Sequence, residues 1–300
     1  MTKNSTFYFL AIPIFAMMLF TACHQEDKKG NEVDHVTYGT TTMLADESLF
    51  PVVDDEYEIF ANNYKNAKIN LVYKPQQDLL KLFLDDSIQV AIMARKLTKE
   101  EAKFYEDRHV VIRSTKFAID GIALITGQSS NDSTITVETL KAALSGKALQ
   151  NKTFVFDNPK SSTVEYLMNL SGVKTFPKNI YALESNKEVI KYIIKHPEAI
   201  GIVSVAWLKR PTPDIEQDVE KVKEIAIKQP DGTFQKPTQS NLKLGNYALT
   251  RDLYLINCQG RAGLGTGFAS FLAGELGQRI ILKSGLAPDS LPSRQIKIRN

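Results

Sequence analysis

The sequence predicts an α/β fold, and two observations lead to this prediction. β-rich or apolar runs alternate with helical patterns along most of the chain, as where KINLVYK (68–74) is followed by PQQDLLKLFLDD (75–86). Strands that alternate with amphipathic helices are typical of α/β proteins. The chain of 300 residues is also long enough to bury a substantial core in one or two domains.

The first third of the chain predicts three strand–helix pairs. Apolar residues between 48 and 64 recur at steps of three and four, which places them on one face of a helix. Pro75 suits the first turn of the next helix, and Thr98 with Glu101 has the spacing of a capping box. In chain order we predict strand 35–40, helix 48–64, strand 68–74, helix 75–86, strand 88–94 and helix 97–107.

The alternation continues in the remaining chain. Thr136 is a candidate N-cap and Gly146 follows the end of the same helix. The segment 209–245 is rich in Lys, Pro, Gln and Asp, so we expect irregular structure there, with one hairpin turn at Asp231-Gly232. The predicted elements are strand 117–126, helix 136–146, strand 153–157, a polar loop and helix over 158–172, helix 186–199, strand 247–257 and a helical region over 265–285.

The N-terminus predicts a lipoprotein signal peptide. Lys3 provides a basic start, an apolar stretch runs from 7 to 20, and the small residues Thr21 and Ala22 precede Cys23. This stretch is short for a membrane span, which needs about 20 residues. We therefore expect removal of residues 1–22 and lipid (palmitate among its acyl chains) on Cys23, which would tether the domain outside the cytoplasm. A cleaved signal with a free cysteine and an uncleaved anchor are the alternatives.

Composition limits the partners of the mature chain. Its formal charge is +3 less the charge of Lys3, or +2, so no strong field favours nucleic acid. Residues 23–34 are mostly polar and are interpreted as a lipidated tether. With Cys23 acylated, Cys258 has no disulfide partner, and its apolar surroundings favour a buried, unreactive thiol.

Seven segments resemble one protein family and occur in that family's order. No single match is specific, but together they extend over about 40–288. The segments are ARKLTKEE (94–101), DGIALIT (120–126), TVETLKAALSGK (136–147), SSTVEYLM (161–168), HPEAIGIVSVAWL (196–208), YALTRDLYLI (247–256) and FLAGELGQRIILKSGLAP (271–288). They resemble the phosphate-binding proteins of bacterial ABC importers, which belong to the type II periplasmic solute-binding proteins.

The resemblance implies a two-lobed periplasmic-binding-protein type II fold with a ligand cleft between the lobes. The chain would cross between them near 117–122 and return near 247–253. Lobe one would comprise 35–117 with 248–300, and lobe two would comprise 118–247. It also implies a monomer that binds a small phosphate-like anion, requires no cofactor and works with an ABC permease.

Hydroxyl residues are the first candidate ligand contacts. Ser161, Ser162 and Thr163 precede an apolar helical run, and a helix N-terminus offers free N–H groups and partial positive charge to an anion. An ordinary N-cap is the alternative. The family order adds ADESLFP (45–51), where Ser48 fits the family pattern and Glu47 departs from it, because the family has a small hydroxyl residue there.

Charged residues complete the predicted site. Arg95 matches the family's arginine and could bind an anion bidentately; pairing with Glu47 and full exposure are the alternatives. Asp157 lies where some family members place an anion-binding arginine, or it is an exposed loop carboxylate. A carboxylate about 4 Å from a bound phosphate costs about 4 kcal/mol per charge pair at an effective dielectric near 20. Glu47 therefore leaves a different small polar solute as an alternative ligand.

Three functions compete at this stage. The favoured one is a lipid-anchored receptor that binds phosphate or a similar oxyanion for ABC import. A sensing or scaffolding module of the same fold, without transport, is the alternative. An enzyme is not expected, because the four histidines are scattered and no HExxH, CxxC or GxSxG pattern occurs. We accordingly predict no catalytic residue and no metal site.

Overall fold

A computed structural model describes residues 34–290 of the chain. The predicted signal peptide, Cys23 and the predicted tether up to residue 33 lie outside the described residues. Asp34, the last residue of that tether, is buried and accepts a hydrogen bond of 2.6 Å from the backbone N–H of Leu264. The described part of the chain is an α/β structure, as the alternating pattern predicts.

The strands and helices follow one another through most of this range. The strands are β1 (Gly39–Asp46), β2 (Ala67–Lys74), β3 (Val90–Met93), β4 (Arg113–Gly127), β5 (Thr134–Thr136), β6 (Phe154–Phe156), β7 (Ile180–Ala182), β8 (Ile200–Ser204), β9 (Val222–Glu224), β10 (Ala226–Lys228), β11 (Phe234–Gln235), β12 (Thr250–Asn257) and β13 (Ala287–Pro288). The helices are α1 (Phe50–Asn63), α2 (Gln76–Leu84), α3 (Lys99–Glu106), α4 (Val137–Leu144), α5 (Ser162–Ser171), α6 (Asn186–Lys195), α7 (Val205–Lys209), α8 (Glu216–Val219), α9 (Gln239–Leu244), α10 (Leu264–Ala273) and α11 (Glu275–Lys283).

The long strand β4 divides the main sheet into two halves. The strand order is β2-β1-β3-β12-β4-β8-β6-β7. The first part of β4, residues 113–121, pairs antiparallel with β12, and residues 122–125 pair antiparallel with β8. In the first half, β1 runs parallel to β2 and β3. In the second half, β6 runs parallel to β7 and β8. Each half thus has one set of parallel strands whose carboxyl ends meet at the same edge.

Helices cover both faces of the first half of the sheet. Alternate side chains of a strand point to opposite faces, so each face carries its own set of buried residues. Met43 and Ile92 belong to the large core, which continues through β4 into the second half. Their neighbours Leu44 and Met93 face a smaller core. The helical partners of this smaller core are Leu79, Phe83 and Tyr105 of α2 and α3. A strand buried on both faces reads as a continuous apolar run, as VAIM in β3 does.

Several local predictions are confirmed and some are wrong. Thr98 and Glu101 form the predicted capping box at α3, and Thr136 caps α4. Strand β1 occupies Gly39–Asp46 and not 35–40. The segment 209–245 contains the predicted hairpin, β10 with β11, but also two helices and β9. The sequence of this segment looks irregular because its strands are short and pair with the distant strands β4 and β5.

Cys258 is buried in the smaller core, and burial raises the pKa of its thiol to about 12. The thiolate that reacts as a nucleophile is therefore scarce at neutral pH, which agrees with the expected unreactive thiol. Among residues 34–290, no helix is both long enough and apolar enough to cross a membrane.

Glu56 is a carboxyl group in the core face of α1. It lies one turn from Val52 and Phe60, and all three side chains are fully buried. Neither carboxyl oxygen has a hydrogen-bond partner among the described residues. Burial, with a smaller contribution from Asp55, raises the pKa of Glu56 from 4.5 to about 9. The folded protein therefore holds a proton at this position at neutral pH.

This proton predicts a stability that depends on pH. Between about pH 4.5 and pH 9 the folded state keeps the Glu56 proton and the unfolded state releases it, so stability falls as pH rises. We expect Glu56→Gln to raise the Tm at pH 8, by about 2–4 °C for each kcal/mol of penalty removed, and to leave the Tm near pH 5 almost unchanged. Thermal denaturation across this range measures the effect. Glu58→Gln, at an exposed position of the same helix, is the control, and equal pH profiles for Glu56→Gln and the wild type would contradict the prediction.

Candidate binding site

Two serines from the two halves of the sheet meet at the centre of the candidate site. Ser48 lies in a short 3₁₀ turn (Glu47–Leu49) directly after β1, and Ser162 opens α5 after β6. Their hydroxyl oxygens are 3.1 Å apart, and both residues are buried. The Asp46 side chain caps the first turn by accepting a hydrogen bond of 2.9 Å from the Ser48 N–H. The carboxyl edges of the two parallel strand sets thus face each other.

Arg251 joins both serines to the strands that cross between the halves. Its Nη1 donates to Ser162 Oγ at 2.7 Å and its Nη2 donates to Ser48 Oγ at 3.1 Å. Its Nε donates to Asp120 Oδ2 at 2.9 Å, which forms an ion pair between β12 and β4. The side chains of Arg251 and Asp120 are only 3% and 0% exposed. Ser204 also donates to Asp120, at 2.8 Å. The guanidinium is therefore held in one position by buried partners.

The N-terminus of α5 adds donors beside Ser162. Ser161 is the N-cap, and its hydroxyl accepts a hydrogen bond of 3.2 Å from the Val164 N–H. Thr163 is fully buried, and its hydroxyl has no hydrogen-bond partner among residues 34–290. The first N–H groups of a helix have no intrahelical acceptor, and the helix dipole makes this end partially positive. An oxyanion placed here would receive hydrogen bonds from both the backbone and the hydroxyls.

Asp157 fixes the N-cap residue of α5 by a hydrogen bond. One carboxyl oxygen accepts from Ser161 Oγ at 2.6 Å, and the other accepts from Asn186 Nδ2 at 2.9 Å. Asp157 is fully buried, so the alternative of an exposed loop carboxylate is wrong. Burial raises its pKa to about 7, although the two hydrogen bonds favour the ionised form. Asp157 thus fixes the starts of α5 and α6.

Glu47 lies next to Ser48 and has few partners. Its Oε1 is buried and lacks a hydrogen-bond partner within the described range. Burial, followed by the nearby charges of Asp157, Asp46 and Asp78, raises the pKa of Glu47 to about 7, and Lys74 opposes this effect. The raised pKa favours the protonated carboxyl of Glu47 near neutral pH more than in an ordinary glutamate, so the charge of this turn depends on pH.

Arg95 is part of an ion-pair cluster at the edge of the site. Its Nε donates to Glu165 Oε1 at 2.7 Å, and its two terminal nitrogens donate to Glu101 at 2.8 and 2.9 Å. The predicted alternative of pairing with Glu47 is therefore not what the structure has. Glu165 also accepts a hydrogen bond from Gln76. Because two carboxylates share one guanidinium, Arg95 brings no net positive charge to the site.

A cavity of about 290 Å³ opens beside the serines and Arg251. Its lining includes one face of α5, with Ser162, Tyr166 and Leu170, and the side chains of Arg251 and Arg95. The structure therefore places Ser162 and Arg95, two residues predicted from the sequence, on one cavity. Ser48, Ser161 and Thr163 adjoin it through Ser162. The ligand contacts themselves stay predictions.

Arg251 and Asp120 are central to the geometry but are not among the site residues predicted from the sequence. A signal for both is present, because they occur in two of the family-like segments, YALTRDLYLI (247–256) and DGIALIT (120–126). In the part of the chain that the structure describes, no three or more His, Cys, Asp or Glu side chains are grouped so as to hold a metal ion.

Comparisons with known proteins agree with this architecture. The phosphate-binding protein PstS of Staphylococcus saprophyticus is 27% identical over 237 residues, which are 74% of this chain and 71% of the relative. A putative phosphate ABC transporter substrate-binding protein from Clostridium perfringens, solved with bound phosphate, superposes with a TM-score of 0.70 at 19% identity and covers 84% of this chain and 100% of the other. An ABC-type phosphate transport receptor from Vibrio cholerae gives a TM-score of 0.64 at 18% identity, with coverages of 82% and 99%.

The descriptions of these relatives name phosphate-binding and phosphate-transport proteins, in line with the expectation of a non-catalytic protein. The two solved structures establish the likeness of fold. A family model described as a PBP superfamily domain matches residues 32–275, which is most of the chain. The chain therefore belongs to the PBP superfamily.

Proposed function

We propose that this protein is an extracytoplasmic solute-binding protein that binds phosphate or a similar oxyanion and delivers it to an ABC permease. The observation that carries the proposal is the convergence of Ser48, Ser162 and Arg251 at the N-terminus of α5, beside a cavity. The descriptions of the relatives support the same ligand class and the same transport role.

The proposed binding mode relies on oriented hydrogen-bond donors more than on net charge. Asp120 compensates Arg251, and Glu101 and Glu165 compensate Arg95. One of the two hydroxyls of Ser48 and Ser162 donates to the other; the second, the Thr163 hydroxyl and the first N–H groups of α5 remain as neutral donors. Hydrogen bonds to a charged group are worth about 1.5–3 kcal/mol each, so several of them can hold an oxyanion without an uncompensated cation.

We also propose that the two halves of the sheet are the two lobes of the receptor, with lobe one at 35–117 and 248–300 and lobe two at 118–247. The change of partners along β4, from β12 to β8 after residue 121, supports this division. The cavity borders both halves, since Gln76 and Arg95 belong to the first and Tyr166 to the second. A monomer suffices for this site, because residues of one chain form all of it.

The N-terminal sequence supports a lipid anchor on Cys23 as part of the same proposal. A single acyl chain binds membranes only reversibly, so stable attachment needs more than one chain. The anchor would keep the receptor near its permease and raise its local concentration there.

Isothermal titration calorimetry with phosphate tests the proposed binding. We expect Ser162→Ala to weaken phosphate binding by about 10–100-fold, because the variant loses a hydrogen bond to a charged ligand. Ser171→Ala, at the other end of the same helix, removes a hydroxyl that donates to the carbonyls of Leu167 and Met168 in its own helix and should leave the Kd unchanged. If the wild type gives no heat with phosphate, sulfate or other oxyanions at millimolar concentration, the proposed ligand class is wrong.

The raised pKa of Glu47 predicts that affinity depends on pH. Above about pH 7 the ionised carboxylate repels a bound anion, and below it the protonated carboxyl does not. We expect Glu47→Gln to bind phosphate about tenfold more tightly than the wild type at pH 8 and equally at pH 5.5, where a tenfold change corresponds to about 1.4 kcal/mol. The ratio of the two Kd values cancels the titration of phosphate itself.

Glu58→Gln, an exposed carboxyl on α1, serves as the control for the Glu47 comparison. A ratio that stays constant between pH 5.5 and pH 8 would contradict the proposed repulsion. Weaker binding of Glu47→Gln at every pH would instead identify Glu47 as an acceptor for a protonated ligand oxygen.

The lipid anchor predicts a change of location for Cys23→Ser. We expect this variant to lose incorporation of labelled palmitate and to move from the membrane fraction to the soluble fraction. Cys258→Ser alters the buried cysteine and should keep both the label and the location. Membrane association of Cys23→Ser at the wild-type level would rule out the lipoprotein interpretation.

A further inference from the structure

The cavity at the candidate site is larger than a simple tetrahedral oxyanion requires. Its volume is about 290 Å³, close to the lower end of small-molecule pockets, roughly 300–1,000 Å³. A phosphate ion has five non-hydrogen atoms. At the roughly 30 Å³ that one water molecule occupies in the liquid, it fills about half of this space. The remaining volume can hold a further chemical group attached to the oxyanion.

The cavity extends outward from the anion-binding end. Ser162 and Leu170 both line it, and they are eight residues apart on α5. At 1.5 Å per residue this face of the helix is about 12 Å long. Ser162 is buried, Tyr166 and Leu170 are partly buried, and Asn169 at the outer end is exposed. The space therefore leads from Arg251 and Ser162 toward solvent, along one helix face.

The lining of the cavity beyond the anion-binding end is partly apolar. Ala94, Tyr166 and Leu170 provide apolar contacts, and Tyr166 offers an aromatic ring. Gln76 also lines the cavity and is only 1% exposed. Its amide nitrogen donates to Glu165, but its Oε1 has no hydrogen-bond partner among the described residues. That oxygen is itself fully buried and gives the cavity no accessible acceptor, so the apolar side chains are the surface that a substituent of the anion would contact.

We infer that the physiological ligand is a phosphate monoester of a small alcohol. Its phosphate group binds at Ser48, Ser162 and Arg251, and its carbon chain lies against Tyr166 and Leu170. This inference rests on the proposed oxyanion binding and adds the class of substituent. Apolar walls with a few placed polar groups are the common composition of sites for organic ligands.

Calorimetry on the purified full-length protein tests the inference with three probes: inorganic phosphate, glycerol 3-phosphate and glycerol. We expect glycerol 3-phosphate to bind at least tenfold more tightly than inorganic phosphate, and glycerol alone not to bind. Leu170→Trp places a larger side chain in the cavity away from the anion-binding end. It should weaken glycerol 3-phosphate binding at least tenfold and change the phosphate Kd by less than twofold.

Leu276→Trp, at an exposed leucine of α11 that does not line this cavity, is the matched control and should keep the preference for the ester. Asn169→Trp, at the exposed end of the cavity, provides a second variant if Leu170→Trp does not fold. Phosphate binding as tight as or tighter than ester binding overturns the inference and leaves the proposed function standing. A preference for the ester that persists in both cavity variants overturns it as well. No binding of either phosphate compound overturns the proposed function together with the inference.

Discussion

The buried ion pair between Arg251 and Asp120 is the interaction on which the rest of the site depends. The two residues are register partners on β12 and β4, the strands through which the two halves of the sheet are connected. Taking two charges out of water costs several kcal/mol per ion, so such a pair is stable only when further hydrogen bonds complete it. Here Ser48, Ser162 and Ser204 supply such hydrogen bonds, and Asp120 Oδ1 is left without a partner among the described residues. The requirement to satisfy one buried arginine thus brings the two serine turns together.

This arrangement also sets the electrostatic character of the site. Each arginine at the cavity has carboxylate partners, and Glu47 and Asp157 have pKa values raised to about 7. A ligand anion therefore meets fixed dipoles and hydroxyls in a nearly charge-balanced environment. Hydrogen bonds are directional, so such an environment favours a ligand by the placement of its oxygens and hydroxyls. This explains how a site that departs from the family pattern at Glu47 can still suit an oxyanion.

The sequence predicted the alternation of elements, the caps at Thr98 and Thr136, and the serines that the fold brings together. These features depend on local patterns, such as helical spacing and capping residues, which a single sequence displays directly. The partners of Arg251 lie 89 to 203 residues away in the sequence, so local patterns could not reveal them. The same reason explains the error over 209–245, where β9 pairs with β4 and β10 pairs with β5. The polar composition of this segment does not indicate strands, because the strands that pair with them lie far away in the sequence.

Contacts between the two halves of the sheet affect how strongly a ligand could change the arrangement of the halves. Among the described residues, three ion pairs other than the buried Arg251–Asp120 pair join the halves, Arg95–Glu165, Lys160–Asp78 and Arg210–Asp55, and each includes partly or largely exposed side chains. Exposed pairs are worth about 0–1 kcal/mol each, so together they contribute at most about 3 kcal/mol. A ligand shifts a conformational equilibrium only by its difference in affinity between the two states. Since Ser48 and Ser162 come from opposite halves, a ligand held by both binds better when the halves are together, and its binding energy can exceed that of the ion pairs.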